Sequence, residues 1–144
     1  MSAFRIRSAR LDDARQVLDL WESAAENHGR PTDADAHLLD GLLRFDPSAL
    51  LLAEVDETLI GSVIAGWDGW RAHLYRLAVR SEFRRRGVGS ALLQAAEQRL
   101  TALGARRLDA MVLDSNALGQ TAWHAAGYQR QDDWSRWVRP TQGS

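Results

Sequence analysis

A strand, a basic glycine-bearing turn and a helix follow one another near the middle of the sequence, and this unit restricts the possible folds most. Ala72–Val79 is an apolar run of strand length, whereas in Val88–Leu103 apolar residues recur at helical spacing until Gly104. The turn between them reads Arg84-Arg85-Arg86-Gly87-Val88-Gly89-Ser90. A helix that begins in such a turn directs its free amide N–H groups and the positive end of its dipole toward the turn. The unit therefore predicts a sheet strand that leads into a binding turn for phosphate or pyrophosphate.

The spacing of the two glycines narrows the choice of phosphate ligand. A P-loop requires Gly-x-x-x-x-Gly-Lys-Ser/Thr and the dinucleotide fingerprint requires Gly-x-Gly-x-x-Gly, and the turn has neither spacing. It fits Arg/Gln-x-x-Gly-x-Gly/Ala instead. All 18 basic residues of the chain are arginines, so an arginine cluster is weaker evidence here than in a lysine-rich protein. A solvated arginine run beside an ordinary helix N-terminus is the alternative interpretation of the hexapeptide.

Periodicity elsewhere predicts two early helices, an antiparallel middle and a late β-α-β crossover. Helical spacing covers residues 14–25, the stretch from Thr32 or Asp33 to just before Asp46, and residues 117–126 with Gly127 as the expected cap. The expected buried face of the second helix is Leu38, Leu39, Leu42 and Leu43. Strands are expected at residues 4–7, 50–55, 58–66 and 108–113, with a last hairpin or pair of strands at 128–138. This order predicts an α/β (α+β) fold with a mixed, mostly antiparallel central sheet and helices on both faces.

Length and composition limit the class of protein further. The 144 residues predict one domain over residues 1–140 and a loose tail at 141–144. A hydrophobic content of 45% and a net charge of -1 are typical of folded soluble proteins and argue against nucleic-acid binding. The absence of cysteine excludes disulfides, a cysteine nucleophile and thiolate metal sites, and no metal is expected. Because neither a membrane-spanning run nor a signal peptide is evident, a cytoplasmic protein without membrane contact is expected.

Two further segments give the chain a family resemblance. With Leu77-Ala78-Val79 before it and Ala91-Leu92-Leu93 after it, the turn resembles the pyrophosphate loop of the GNAT superfamily of acyl-CoA-dependent N-acyltransferases. Asn116 and residues 119–128 resemble the family's Asn-x-x-Ala-x-x-Phe-Tyr-Glu-Lys-x-Gly-Phe segment, and residues 66–71 resemble a turn of small uncharacterised bacterial members. The resemblance implies the GNAT fold. It also implies an enzyme that transfers an acetyl group from acetyl-CoA to a primary amine by direct attack in a ternary complex.

The resemblance also assigns cofactor contacts. The pantetheine arm would bond the main chain of the central strand where a bulge separates it from its neighbour, and the pyrophosphate would lie on the turn. The implied cofactor residues are Leu77, Ala78, Val79, Arg84, Arg85, Arg86, Gly87, Val88, Gly89, Ser90, Asn116 and Trp123. As a lone residue, Asn116 would more often be a helix cap, and both roles can coexist; Leu77 to Val79 also suit a core strand.

The sequence matches the catalytic residues of the family less well than its cofactor-binding residues. Trp123 stands where many members carry the tyrosine that protonates the leaving thiolate, and an indole cannot act as that acid. His73 occupies the position of the glutamate base of histone-type relatives, although a half-buried structural histidine is the alternative. Asp68 and Tyr75 are lesser candidates for the base. The backbone N–H of Val79 would polarise the thioester carbonyl.

The acceptor and the partners are the least determined. Met111 stands at the base position of ribosomal N-terminal acetyltransferases, so a small or antibiotic-like amine is favoured over a protein; no nucleic-acid partner is expected, and a homodimer is possible. Two interpretations remain for Trp21, Trp67 and Trp70: they form part of an aromatic pocket for the acceptor, or they pack in the core or at a dimer contact. Two interpretations also remain for Asp33, Asp35 and Asp40: they attract a cationic acceptor, or they compensate the dipole of a helix. One alternative function is a CoA-binding regulatory domain without transferase activity. Another is a nucleic-acid-binding module, against which the near-neutral net charge argues.

Overall fold

The computed structural model describes residues 3–24 and 32–141, without the side chains of residues 32 and 33. Within those ranges the chain forms five strands, β1 Arg5–Ser8, β2 Leu50–Val55, β3 Thr58–Trp67, β4 Ala72–Val79 and β5 Leu108–Ala110. The α-helices are α1 Ala14–Ser23, α2 Thr32–Phe45, α3 Val88–Leu103 and α4 Ala117–Ala125. None of these described helices is both long enough and apolar enough to cross a bilayer.

The sheet is mixed, as predicted. Its strand order is β1-β2-β3-β4-β5; the first four strands are antiparallel in turn, and β5 is parallel to β4. Asp56 and Glu57, with φ of 50° and 67°, form the two-residue turn between β2 and β3. Positive φ at both positions gives a turn whose twist matches that of the flanking strands. The connection from β4 through α3 to β5 is the predicted β-α-β crossover.

Helices cover both faces of the sheet, so the strands are apolar on both sides. In β2, Leu50 and Leu52 face α1 and α2, whereas Leu51 and Ala53 face α3. The core residues of α3 are Val88, Leu92, Leu93, Ala96 and Leu100. The opposite core includes Val17, Leu20, Trp21, Leu39 and Leu43 from α1 and α2. Both cores pack against β3 and β4, the strands that lead to the site.

Several predicted details of the fold are wrong. The strand expected at 108–113 ends at Ala110, and Leu38 is 67% exposed while Leu39 and Leu43 are buried. Residues 128–141, all of them described, form no strand. The predicted terminal pair carries consecutive aspartates, and its Trp134, Trp137 and Val138 are largely exposed. A three-residue β5 offers too short an edge to template more strands. The helix break expected at residues 27–31 lies outside the described residues.

Candidate active site

An opening between β4 and β5 forms the centre of the site. The two strands share three pairs, Ala72 with Leu108, His73 with Asp109 and Leu74 with Ala110. The Met111 amide still donates to the Leu74 carbonyl at 2.9 Å. Beyond this bond the parallel pairing ends, although β4 continues to Val79. The second half of β4 therefore borders an opening on the side away from β3.

A bulge in β4 marks the start of this opening. Ser62 lies opposite Ala78 and Ile64 lies opposite Tyr75, so three steps along β4 match two along β3. The extra residue falls at Arg76, whose φ is +57°. Because one extra residue inverts the alternation of the strand, Tyr75 and Ala78 both face the α1–α2 core. The family resemblance predicts a bulge here, and the structure confirms it.

Main-chain groups of β4 face the opening beyond the bulge. The Arg80 amide donates to the Ile60 carbonyl of β3 at 2.8 Å. Peptide groups alternate in direction along a strand, so those of Ala78 also face β3, and those of Leu77 and Val79 point away from it. Of the three residues predicted to bond the pantetheine arm, Leu77 and Val79 thus present donors and acceptors to the opening.

The N-terminus of α3 lies beside the same opening. A Cβ on Gly89 would lie 3.9 Å from Val79 Cγ2, so the first turn of the helix is adjacent to the end of β4. The first helical hydrogen bond runs from the Ala91 amide to the Gly87 carbonyl at 3.0 Å. The helix therefore uses none of the amides of Val88, Gly89 and Ser90.

The conformation of the turn requires glycine at one position. Gly87, the residue before α3, has a φ of 81° and makes no side-chain cap bond. Arg84, Arg85 and Arg86 are exposed, and the Arg86 guanidinium lies 5.4 Å from the centre of the Phe83 ring. The turn thus combines unused amides, a helix dipole and exposed guanidinium groups, a set of donors that suits a pyrophosphate.

A cavity of about 650 Å³ lies on the α2 side of β4 and β5. It brings Trp67, Asp68 and His73 together with Asn116 and Trp123, which lie in a distant part of the sequence. The other lining residues are Leu42, Phe45, Asp46, Ala49, Gly66, Tyr75, Arg76, Met111, Val112, Leu113 and Arg136. Ten of the sixteen lining residues are apolar or aromatic, and six are polar or charged: Asp46, Asp68, His73, Arg76, Asn116 and Arg136.

The three candidate bases differ in their chemistry. Asp68 Oδ1 accepts from the amides of Arg71 at 2.7 Å and Trp70 at 2.8 Å, and these bonds lower the pKa of Asp68. Burial raises the pKa of Tyr75, which keeps its proton at neutral pH. Imidazole is the side-chain group that ordinarily titrates near neutral pH. His73, a half-buried lining residue, is therefore the candidate best suited to accept a proton.

Two predicted cofactor residues lie at the end of the cavity near α4. Asn116 Oδ1 accepts from the Gly119 amide at 2.9 Å and caps α4, as the alternative interpretation of this residue predicts. Trp123 is 5% exposed and packs edge-on against Tyr128 at 5.0 Å between ring centres. The Tyr128 hydroxyl donates to Glu97 Oε2 at 2.6 Å, and burial and this bond raise the pKa of Tyr128.

The three tryptophans considered for the acceptor pocket have different surroundings. Trp67 lines the cavity. Trp21 is buried in the α1–α2 core, which agrees with the packing alternative, and Trp70 is 84% exposed. Among the acidic candidates, Asp35 is paired with Arg76 at 2.6 Å and Asp40 with Arg44 at 3.0 Å. The side chain of Asp33 lies outside the described residues.

Sequence reasoning missed several parts of the site. Leu42 and Phe45 of α2 and Arg136 of the C-terminal stretch line the cavity without any local motif. It also missed the partners of Arg76, because Trp21, Ser62 and Asp35 are distant in the sequence. The glycine at position 61 is a further omission: a Cβ there would lie 3.0 Å from Leu92 Cδ1. A glycine between apolar strand residues is a signal for such close packing.

Comparisons with known proteins agree with this geometry. The sequence model of the acetyltransferase (GNAT) family matches residues 14–128. An acetyltransferase of Yersinia pestis (strain Pestoides F) is 35% identical over 127 residues, which are 88% of this chain and 89% of that protein. The PaiA N-acetyltransferase of Thermoplasma acidophilum, solved in complex with coenzyme A, is 20% identical with a TM-score of 0.79, over 90% of this chain and 92% of that chain. The aminoglycoside N-acetyltransferase AAC(6')-Iy, solved in complex with CoA, is 22% identical with a TM-score of 0.76. That match covers 100% of this chain and 97% of that chain.

Proposed function

Because the chain belongs to the acetyltransferase (GNAT) family, we propose that it transfers an acetyl group from acetyl-CoA to a primary amine of a small molecule. The amine attacks directly in a ternary complex. One observation carries this proposal: the first turn of α3, with its unused amides, adjoins the open edge of β4. That edge continues toward the cavity that contains His73.

The residues of the chain fit the two polar parts of the cofactor. We assign the pyrophosphate to the amides of residues 88–90 and to the exposed guanidinium groups of residues 84–86. The amide-bearing arm bonds the peptide groups of Leu77 and Val79 that point away from β3. Since Asn116 Oδ1 caps α4, its Nδ2 group is the part that we assign to the arm. Acetyl-CoA, when bound, supplies an acetyl group already activated as a thioester.

Proton removal from the amine is the largest demand on the protein. Neutralising a lysine-like ammonium, with a pKa near 10.4, costs about 4–5 kcal/mol at pH 7. We assign His73 as the base, directly or through a water chain, and the Val79 amide as the donor to the carbonyl oxygen. Trp123 provides no acid. A thiol with a pKa of about 8.5 is nevertheless a tolerable leaving group near neutral pH, so transfer does not require one.

The cavity suits a small acceptor better than a protein terminus. Its volume of about 650 Å³ lies within the range of about 300–1,000 Å³ that is usual for small-molecule sites. Trp67 and Phe45 offer apolar surface, while Asp68 offers a carboxylate that attracts an ammonium group. Met111 at the ribosomal-type base position supports the same class of acceptor.

A CoA-binding domain without transferase activity is the second candidate, and Trp123 at the acid position is the observation that favours it. Calorimetric titration with acetyl-CoA, combined with a DTNB assay of thiol release, separates the two functions. The amine panel consists of aminoglycosides, diamines, amino-acid amides and N-terminal peptides. We expect saturable binding and amine-dependent thiol release with a small amine. Binding without release on any amine supports the second candidate, and absence of binding contradicts both.

A further inference from the structure

Arg76 occupies an unusual place in the molecule. It forms the bulge of β4 with a φ of +57°, a conformation that is unfavourable for a residue with a large side chain. Such a residue persists where its surroundings determine its conformation, and in this case both its main chain and its side chain are held. Arg76 also lines the cavity described above.

The main chain of Arg76 is held through Ser62 and Trp21. The Ser62 hydroxyl donates to the Arg76 carbonyl at 2.8 Å and accepts from Trp21 Nε1, also at 2.8 Å. Ser62 is fully buried and Trp21 is 4% exposed. This chain of bonds draws the carbonyl of the bulge toward β3 and α1. Because peptide groups alternate in direction along the strand, those of Leu77 and Val79 then point into the opening.

The side chain of Arg76 is held by Asp35 of α2 and by the ring of Trp21. Its guanidinium stacks on the Trp21 ring at 4.6 Å and donates from Nη2 to Asp35 Oδ1 at 2.6 Å. The side chains of Arg76 and Asp35 are only 12% and 8% exposed. Asp35 belongs to α2, which also contributes Leu42 and Phe45 to the cavity. The buried ion pair therefore joins the cavity wall to the bulge.

We propose that Arg76 is a positioning residue that sets two parts of the site independently, an inference that rests on the proposed function. Its carbonyl, fixed by Ser62, orients the β4 amides that receive acetyl-CoA. Its guanidinium, fixed by Asp35, holds α2 as the wall of the acceptor cavity. The two contacts lie on opposite ends of one residue, so variants that remove one of them leave the other in place.

Two variants separate these roles. Arg76→Gly keeps the left-handed conformation, which glycine adopts freely, and removes the whole side chain with the guanidinium that pairs with Asp35. Ser62→Ala keeps the guanidinium and its ion pair, and removes the bond to the bulge carbonyl together with the acceptor for Trp21 Nε1. Arg44→Gln is the matched control, because it breaks the exposed pair between Asp40 and Arg44 on the same helix α2. All three are tested in the full chain.

Three readouts are measured: calorimetric Kd for acetyl-CoA, hydrogen exchange of the amides of residues 34–45, and KM for the amine found in the panel. For Arg76→Gly we expect about tenfold faster exchange and about fivefold higher amine KM, with acetyl-CoA Kd within about twofold of the parent. For Ser62→Ala we expect acetyl-CoA Kd to rise about fivefold with exchange near that of the parent. The control changes none of the three.

Parallel changes in all readouts, proportional to the loss in Tm, show a merely stabilising residue and overturn the proposal. An unchanged exchange rate in Arg76→Gly overturns it as well. Where Arg76→Gly does not fold, Asp35→Asn tests the side-chain contact; where Ser62→Ala does not fold, Ser62→Cys, whose thiol is only a weak donor, tests the bond to the bulge carbonyl. Exchange is measured without any ligand. Failure of every amine in the panel therefore contradicts the proposed activity while leaving the acetyl-CoA and exchange results to decide the role of Arg76.

Discussion

Replacing Gly61 by alanine tests the packing that places α3 beside the sheet. A Cβ at position 61 would lie 3.0 Å from Leu92 Cδ1 and 3.1 Å from both Val88 Cγ1 and the Ala78 carbonyl oxygen. Leu92 and Val88 are at most 1% exposed, so neither side chain can swing into solvent, and the third neighbour is main chain. The methyl group therefore displaces α3 from β3 by a few tenths of an ångström.

The expected loss of stability follows from this overpacking. Inserting a methyl group into a well-packed core costs about 1–3 kcal/mol. For a chain of this length the loss lowers Tm by roughly 3–10 °C. Val88 is also the first residue of α3, so the displacement reaches the amides assigned to the pyrophosphate. We expect acetyl-CoA Kd to rise about threefold to tenfold, because hydrogen bonds to charged groups depend on geometry.

Gly66→Ala is the matched control, since it adds the same methyl group in the same strand. Its Cβ would meet only the His73 carbonyl oxygen, at 3.8 Å, an ordinary contact distance. Thermal unfolding by circular dichroism and calorimetric titration with acetyl-CoA are measured for both variants, with titrations well below either Tm. Equal Tm values for the two variants would refute the packing argument. A Gly61→Ala variant that loses stability but binds acetyl-CoA like the parent would refute its link to the cofactor site.

Three other substitutions test separate parts of the account. His73→Ala should lower turnover about 10²–10⁴-fold and change the pH profile without altering acetyl-CoA Kd; an unchanged profile removes His73 from the mechanism. The Arg7 guanidinium holds the pKa of Asp13 below its usual range, so that carboxylate stabilises the fold above about pH 4 and loses its effect as pH falls through the lowered pKa. Asp13→Asn should therefore cost about 1.5–3 kcal/mol at pH 7 in urea unfolding, the usual worth of a hydrogen bond to a charged group, and the difference from the parent should shrink below pH 4; a difference independent of pH contradicts this. Gly119→Ala should lower Tm because its Cβ would overlap the amide that caps α4, whereas Gly41→Ala, with no atom near its Cβ, should raise the free energy of unfolding by about 0.5–1 kcal/mol; equal shifts would contradict the cap.

Local patterns in the sequence predict the strand–turn–helix unit correctly. The bounds of β4 and α3 agree with the periodicity, because a strand buried on both faces and an amphipathic helix each leave a direct pattern. Gly87 and Gly104 flank α3 in left-handed conformations, as their residue type suggests. The mixed sheet follows from the order of these elements, since few topologies connect them without crossing.

Contacts between distant segments cannot be predicted in the same way. Nothing near Arg76 in the sequence signals its positive φ, because that conformation depends on Ser62, Trp21 and Asp35. The assignment of α2 to the cavity wall depends on the same contacts. The strands predicted at residues 128–138 are the opposite error. No partner strand is available at the short edge of β5, and Trp134 and Trp137 are exposed.

Single residues of the candidate site can be predicted from the sequence, but the way they come together cannot. Glycine positions, helix starts and a capping asparagine are local features, so Gly87, Ser90 and Asn116 could be identified one by one. Gly87 and Ser90 lie at the start of α3 beside the end of β4, whereas Asn116 lines the cavity, and these placements depend on the assembled sheet. The meeting of His73 with Trp123 in one cavity is likewise a property of the assembled sheet.

Titration of acetyl-CoA into Ser90→Pro and Ser90→Ala tests the central claim most directly. Proline at position 90 removes one amide that the helix does not use, because the first helical bond is donated by Ala91. Alanine keeps that amide and removes only the exposed hydroxyl. We predict a Kd near that of the parent for Ser90→Ala and a Kd raised about tenfold or more for Ser90→Pro, the usual effect of losing a hydrogen bond to a charged group. Equal affinities of the two variants, both folded, would contradict the assignment of the pyrophosphate to the start of α3.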